Sequence, residues 1–239
     1  MSDRMNVDRL QQERDTIDLC DLPITEREIC ERFEKLYTGA VNDVMRELCM
    51  PLQALPTAIV PLRDEMVVAG FAFTIRSSDN PTVGSELELR VKMLDEIRPN
   101  HVCVWNANGR DVASHWGGVM TRASLKRGAR GAIVDGGIRD TKDILAQGFP
   151  IWYRYRTSTG ALSHCKLEAW QVPVWIGNVI VKPGDLILAD IDGALIVPRH
   201  LIVDVLERAE QIEKSEGEIK DWVDAGLSAK DIHDRGGYF

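Results

Sequence analysis

The run GAIVDGGIRD at 131–140 restricts the possible folds more than any other segment of the chain. Its first four residues form a short apolar stretch ending at Asp135, as expected of a strand covered on both faces. Helical patterns flank it at 117–127 and 141–147, the second closed by Gly148 as a C-cap. Strand-like segments at 101–106 (HVCVWN) and 149–155 continue the alternation. Strand, loop and helix in repeated succession predict an α/β domain.

The rest of the chain fits around that centre. Residues 1–24 read as a polar N-terminal arm. A helix over 25–36 sets Ile29, Phe33 and Leu36 on one face, and a second over 39–49 turns Val41, Val44, Met45 and Leu48 inward. Pro51, Pro56 and Pro61 punctuate a loop. Strands at 66–69 and 71–76 join near Gly70, 77–84 reads as a loop, and 86–97 as a helix ended by Pro99. Short strands at 172–176, 179–182, 186–189 and 194–197 follow, with Pro183-Gly184-Asp185 as a tight turn between two of them. From Arg199 the pattern is helical, carrying Ile202, Val205, Leu206, Ile212, Ile219, Trp222 and Val223. No shift in composition marks a linker, so 25–239 is expected to be a single domain with a C-terminal helical tail.

Charge and composition narrow the function classes. Lys and Arg number 29 against 37 Asp and Glu, a formal net charge of −8, which argues against a nucleic-acid partner. The basic stretch 122–130 reads as a solvated helix face. No apolar run reaches the roughly 18 residues of a membrane span, and the charged N-terminus lacks the apolar core of a signal peptide. A soluble cytoplasmic protein with no membrane partner is expected. Five scattered cysteines (Cys20, Cys30, Cys49, Cys103, Cys165) suggest reduced thiols rather than a disulfide framework, and the five histidines show no metal-ligand spacing.

Three segments could carry chemistry. In 115–120 (HWGGVM), the amides near Gly117, Gly118, Val119 and Met120 open a helix and suit a carboxylate, although the glycines could simply make the turn. In 135–140 (DGGIRD), Arg139 offers a guanidinium fork and Asp140 an oxygen ligand for a hard cation, at the carboxyl end of a buried strand. Asp140 serves equally well as the N-cap of the next helix. The third, Pro183-Gly184-Asp185 with Asp190 and Asp192, reads mainly as turns.

Taken in order, these segments resemble the RraA-like family. Gly118, twenty residues, Arg139-Asp140, two residues and Asp143 match its G-x20-R-D-x2-E/D pattern. The segments RGARGAIVDGGIRD and VKPGDLILADIDGALIVPR are similar to its later blocks. So are 37–44 (YTGAVNDV), 70–74 and Asp79-Asn80 to its earlier ones, and the likeness spans roughly residues 36–235. The family includes class II 4-hydroxy-4-methyl-2-oxoglutarate aldolases and oxaloacetate decarboxylases, and also protein-binding regulators of ribonuclease E.

The resemblance implies a layered β/β/α domain of the swivelling, phosphohistidine-domain-like type, assembled into trimers or hexamers with sites at subunit interfaces. It implies a lyase acting on a 2-oxo acid with Mg²⁺ or Mn²⁺. Asp140 is then the metal residue and Arg139 the substrate and oxyanion residue, with the amides near Gly117, Gly118, Val119 and Met120 as the carboxylate cradle. A cation and a guanidinium together would stabilise a pyruvate-type enolate. Where aldolase members often carry an acidic residue this chain has Gly118, which cannot relay a proton. The lyase reaction is then aldol cleavage or decarboxylation, and dehydration or hydrolysis of a 2-oxo sugar acid on the same metal platform, or a non-catalytic role as a protein-binding regulator of ribonuclease activity, are the alternatives. His115 and the acidic segment 213–221 of a neighbouring copy are candidate proton carriers.

Overall fold

The computed structural model describes residues 7–17, 19–84, 86–109 and 111–239. Strand β2 (Val68–Asp79) organises them, because its side chains reach three separate cores. Ala69 and Phe71 point to one core, Val68 and Ala72 to a second, and Phe73 and Ile75 to a third. Alternation along the strand separates the second core from the other two, which share the opposite face at different places along β2.

Parallel partners lie on one side of β2: β3 (His101–Asn106), then β5 (Gly131–Ile138), then β6 (Ile151–Arg156). The two-residue β1 (Val60–Pro61) closes that edge antiparallel to β6. On the other side β10 (Leu186–Asp190) and β11 (Gly193–Val197) run antiparallel. Two short strands extend this nine-stranded sheet: β4 (Ser114–Trp116) beside the end of β5, and β7 (Cys165–Trp170) beside the end of β2. A separate hairpin, β8 (Val174–Ile176) and β9 (Val179–Val181), packs its inward residues against Ala72, Val102, Val104, Ile133 and Trp152.

Helices cover the face away from that hairpin, in two groups. Toward β10 and β11, α2 (Glu26–Phe33), α3 (Thr38–Glu47) and the long α7 (Ile202–Asp224) pack on Phe71, Leu186, Leu188 and Val197. Toward β3, β5 and β6 lie α4 (Leu87–Glu96), α5 (Gly118–Lys126) and α6 (Thr141–Ala146), where Trp116 stacks on Phe149 with ring centroids 5.9 Å apart. The remaining helices are terminal, α1 (Val7–Asp15) with no buried residue and α8 (Ala229–Asp234) folded back on α7. The outcome is the expected mixed α/β domain with its C-terminal helix. Of the expected arm, residues 1–6 and 18 lie outside the described residues, and Lys182 Nζ anchors the rest by donating to the Glu13 and Thr16 carbonyls.

Several local expectations change. Gly70 does not separate two strands. It continues β2 because a Cβ there would lie 2.7 Å from the Asn100 carbonyl oxygen, so the neighbouring chain requires glycine. Residues 77–79 are strand rather than loop because β7, an alternating segment, pairs with them. The apolar stripe of the C-terminal tail is covered within the chain, since Ile202, Val205, Leu206, Ala209 and Ile212 join the α2–α3 core. The Asp190 carboxylate accepts the Thr38 amide and hydroxyl, each at 2.8 Å, and the Asp192 amide at 2.9 Å. It therefore caps α3 from across the fold. Asp185 accepts the Lys182 and Arg199 amides, as its turn position suggested. All five cysteines are free, and Cys30, Cys103 and Cys165 are buried.

Candidate active site

Parallel strands β4 and β5 end side by side, and each runs directly into a helix. The Arg139 amide donates to the Trp116 carbonyl at 3.0 Å, tying the two exits together. Asp140 follows in the left-handed region at φ 55°, which Asp tolerates better than most residues. Its carboxylate does not cap α6. It reaches across to α5, where its Oδ2 accepts the Gly118 amide at 3.1 Å. A negative charge on the positive end of a nine-residue helix is favourably placed.

Glycine allows close approach here. Gly117 has an extended φ of −159°, open to any residue, but a Cβ on it would lie 2.7 Å from Asp140 Oδ2. A Cβ on Gly160 would lie 2.9 Å from Arg139 Nη1. A Cβ on Gly118 would meet Asp143 Oδ2 at 2.2 Å, so Asp143 fills the space that a side chain at 118 would need. These contacts favour an organised site over glycines that merely turn the chain.

Arg139 Nε lies 3.7 Å from Asp140 Oδ2, and both side chains are about half exposed. They line a cavity of about 710 Å³, whose wall also includes Gly117, Val119 and Met120. Gly118 contributes its amide to Asp140, which leaves the amides of Val119 and Met120 in the first turn without helical acceptors. The structure thus brings Arg139, Asp140 and the α5 amides together. Among the described residues no group of three or more His, Cys, Asp or Glu side chains is placed to hold a metal ion. A half-exposed single carboxylate facing a cavity fits a hard cation that keeps most of its waters, as Mg²⁺ does.

His115 also lines the cavity and is 4% exposed. Burial, reinforced by the Arg90 charge, pushes its imidazole down to about 4, so the ring is neutral near pH 7. That weakens His115 as the candidate proton carrier near neutral pH. Burial likewise lowers His101 to about 4, with Arg98 adding to the effect. Each ring binds a proton more readily in the unfolded chain, so its stabilising effect is complete above pH 6.5 and lost toward pH 4. Stability is expected to fall over that interval by up to about 1.4 kcal/mol per pH unit for each ring. Urea melts at pH 7 and pH 5 measure this, and His115→Gln should flatten the slope. Equal midpoints for the wild type would mean that both rings are solvated.

Sequence reasoning missed Glu86, Arg90 and the 160–162 turn, all in the cavity wall. Glu86 and Arg90 are four residues apart, a spacing that usually signals a surface pair. Here Glu86 accepts from both the Arg90 guanidinium and the Leu167 amide, and Arg90 lies 5.3 Å from the centre of the Trp105 ring.

Fold and site together define a mixed α/β protein with a ligand-sized cavity at paired strand ends. The chain belongs to the RraA-like family, whose Aldolase/RraA model matches residues 16–196. Compared with the likeness first traced over 36–235, that match begins earlier and stops before α7. A protein of Halalkalibacterium halodurans provisionally named a 4-hydroxy-4-methyl-2-oxoglutarate aldolase is 30% identical, over 78% of this chain and 84% of its own. A solved structure described among novel cellulases from gut-associated microbes is 48% identical, with TM-score 0.87, covering 90% of this chain and 96% of that one. Streptomyces coelicolor RraAS2, described as an unusual member of the RNase ES inhibitor RraA family, is 28% identical with TM-score 0.75, over 81% and 96%. Protein DlpA of Legionella pneumophila is 26% identical over 71% of this chain, which spans only 28% of that protein. Among the described residues no helix is long and apolar enough to cross a membrane.

Proposed function

We propose that this protein is a divalent-metal-dependent lyase acting on a 2-oxo acid, by aldol cleavage or decarboxylation through a pyruvate-type enolate. The observation that carries this reading is the meeting of Arg139, Asp140 and the first turn of α5 in the wall of a single cavity. Arg139 offers a planar fork to the oxo and carboxylate oxygens. The Val119 and Met120 amides, at the positive end of α5, take the other carboxylate edge. A divalent cation beside Asp140, Mg²⁺ or Mn²⁺, would supply Lewis-acid stabilisation of the developing enolate charge. Burial, which holds the His115 imidazole down at about 4, makes it a weak proton acceptor at neutral pH, so a neighbouring copy is the better source of that group. A panel of 2-oxo acids incubated with Mg²⁺ or Mn²⁺ and assayed for pyruvate and CO₂ tests the reading, and no turnover with any member would defeat it.

The regulatory alternative gives this cavity no task. It expects no metal-dependent change in melting temperature, whereas a native-state cation must raise it by mass action. Among the variants, Gly117→Ala is expected to lower kcat/KM by about 10²-fold, since displacement of the Asp140 carboxylate by even about 1 Å has that scale of cost. Because the backbone at 117 is extended, the melting temperature should move little, and steady-state kinetics beside a melt check both statements. The family resemblance further supports a homotrimer or hexamer, measurable by light scattering. A monomer at micromolar concentration would rule out a shared-interface site.

A further inference from the structure

Resting on the 2-oxo acid reading, we infer that Gln147 is a positioning residue, which holds the 118–119 peptide so that the Val119 amide serves the substrate carboxylate. Gln147 follows the last turn of α6, and its side chain turns back to α5, where Nε2 donates to the Gly118 carbonyl at 3.1 Å. That carbonyl and the Val119 N–H belong to one planar trans peptide, so a bond that fixes the direction of one fixes the other. Val119 lines the cavity, and its amide is among those that the first turn of α5 leaves without helical acceptors. Donation to the carbonyl oxygen also polarises the peptide and strengthens its N–H as a donor. The preceding peptide is held separately, because the Gly118 amide donates to Asp140 Oδ2. Gln147 thus acts on the carboxylate cradle, and Asp140 on the cation side of the site.

The other half of the same side chain argues against a purely structural purpose. Gln147 Oε1 is shielded from solvent and has no hydrogen-bond partner among the described residues. A buried acceptor left unpaired is unfavourable, and turning the amide over would only set Oε1 against the Gly118 oxygen, acceptor facing acceptor. The backbone does not call for Gln either. Its torsions are φ −84° and ψ −8°, open to any residue, and its own amide already donates to the Asp143 and Ile144 carbonyls. Nor is the bond needed to join the two helices, because Asp143 already fills the space against the Gly118 Cα. What remains for the amide to do is to aim the 118–119 peptide.

Calorimetric titration of the full chain with oxalate, at saturating Mg²⁺ and beside thermal melts, tests this on Gln147→Met and Gln147→Leu. Met keeps the length of the side chain without its donor, and Leu keeps most of its volume. Both variants are expected to bind oxalate about fivefold or more weakly, the scale of one hydrogen bond. Their melting temperature should hold or rise, because the unpaired Oε1 is gone. The increase in melting temperature on adding Mg²⁺ should persist, since the bond between Asp140 and the Gly118 amide is untouched. In turnover, KM should rise by the same factor with kcat within about twofold, as for a contact made equally in ground and transition states. Unchanged oxalate affinity in both variants overturns the inference while leaving the 2-oxo acid reading intact. So does a loss of affinity matched in both by a fall in melting temperature, which would make Gln147 a structural residue only. Failure of the wild type to bind oxalate, with Mg²⁺ and with Mn²⁺ alike, overturns the underlying reading and the inference with it.

Discussion

Replacing Asp140 with Asn is expected to lower lyase kcat/KM at saturating metal by about 10³-fold or more, with the melting temperature nearly unchanged. Asn keeps the size of the side chain, tolerates the left-handed backbone at φ 55°, and can still accept the Gly118 amide through its carbonyl oxygen. What disappears is the negative charge that would hold a hard cation. Loss of Lewis-acid stabilisation is worth several kcal/mol, and about 4 kcal/mol corresponds to roughly 10³-fold in rate. The measurement is kcat/KM across a metal titration, beside a melt with and without Mg²⁺. Near wild-type turnover would remove the cation from Asp140.

Arg139→Lys is expected to reduce kcat/KM by at least about 10²-fold, roughly 2.7 kcal/mol. Lys retains the charge but presents a point donor in place of the planar fork. The packing near 139 strengthens the expectation, because Gly160 leaves room for a flat guanidinium end approaching within 2.9 Å of where a Cβ would stand. A tetrahedral ammonium on a flexible stem has no such fixed seat. Oxalate, which imitates the enolate, should bind the variant more weakly in the presence of Mg²⁺. Unchanged kinetics and unchanged oxalate affinity would take Arg139 out of the site.

Much of this was legible in the sequence, for physical reasons that differ from place to place. The strand at 131–135 showed itself by the apolar run 131–134, but its continuation to Ile138 did not. Gly136 and Gly137 looked like the start of a loop. They stay in the strand because Cβ atoms there would meet His115 Nδ1 at 2.9 Å and the Tyr155 ring at 2.4 Å. Gly70 misled in the same way. Strand β7 carried a readable signal, with Cys165 and Leu167 buried and Lys166 and Glu168 exposed, which a closer count of alternation would have found. Arg139 and Asp140 stood out as candidates from their place after a buried strand, with helix capping by Asp140 an equal reading there. That the Asp140 carboxylate bonds to α5 rather than capping α6 depends on two chain segments meeting, which no local pattern encodes. Arg90 was hidden for a related reason. Its i, i+4 acidic partner is normally a mark of solvent exposure, and only Trp105 and Leu167 on other strands make that pair part of a wall.

The close packing around Gly117, Gly118 and Gly160 also divides the site into parts with unequal freedom to vary. At those positions even one methyl group would push on Asp140, Asp143 or Arg139, so nearly every replacement is expected to be felt by the chemistry. Val83, Val119 and Leu162 project from the same cavity into open space and can change size or polarity without disturbing those contacts. A mutational scan of the whole chain should therefore separate the two groups, with replacements at the glycines felt more than those at the rim. Under the proposed function, substrate preference could then shift through a few rim codons with the lining at Arg139 and Asp140 kept.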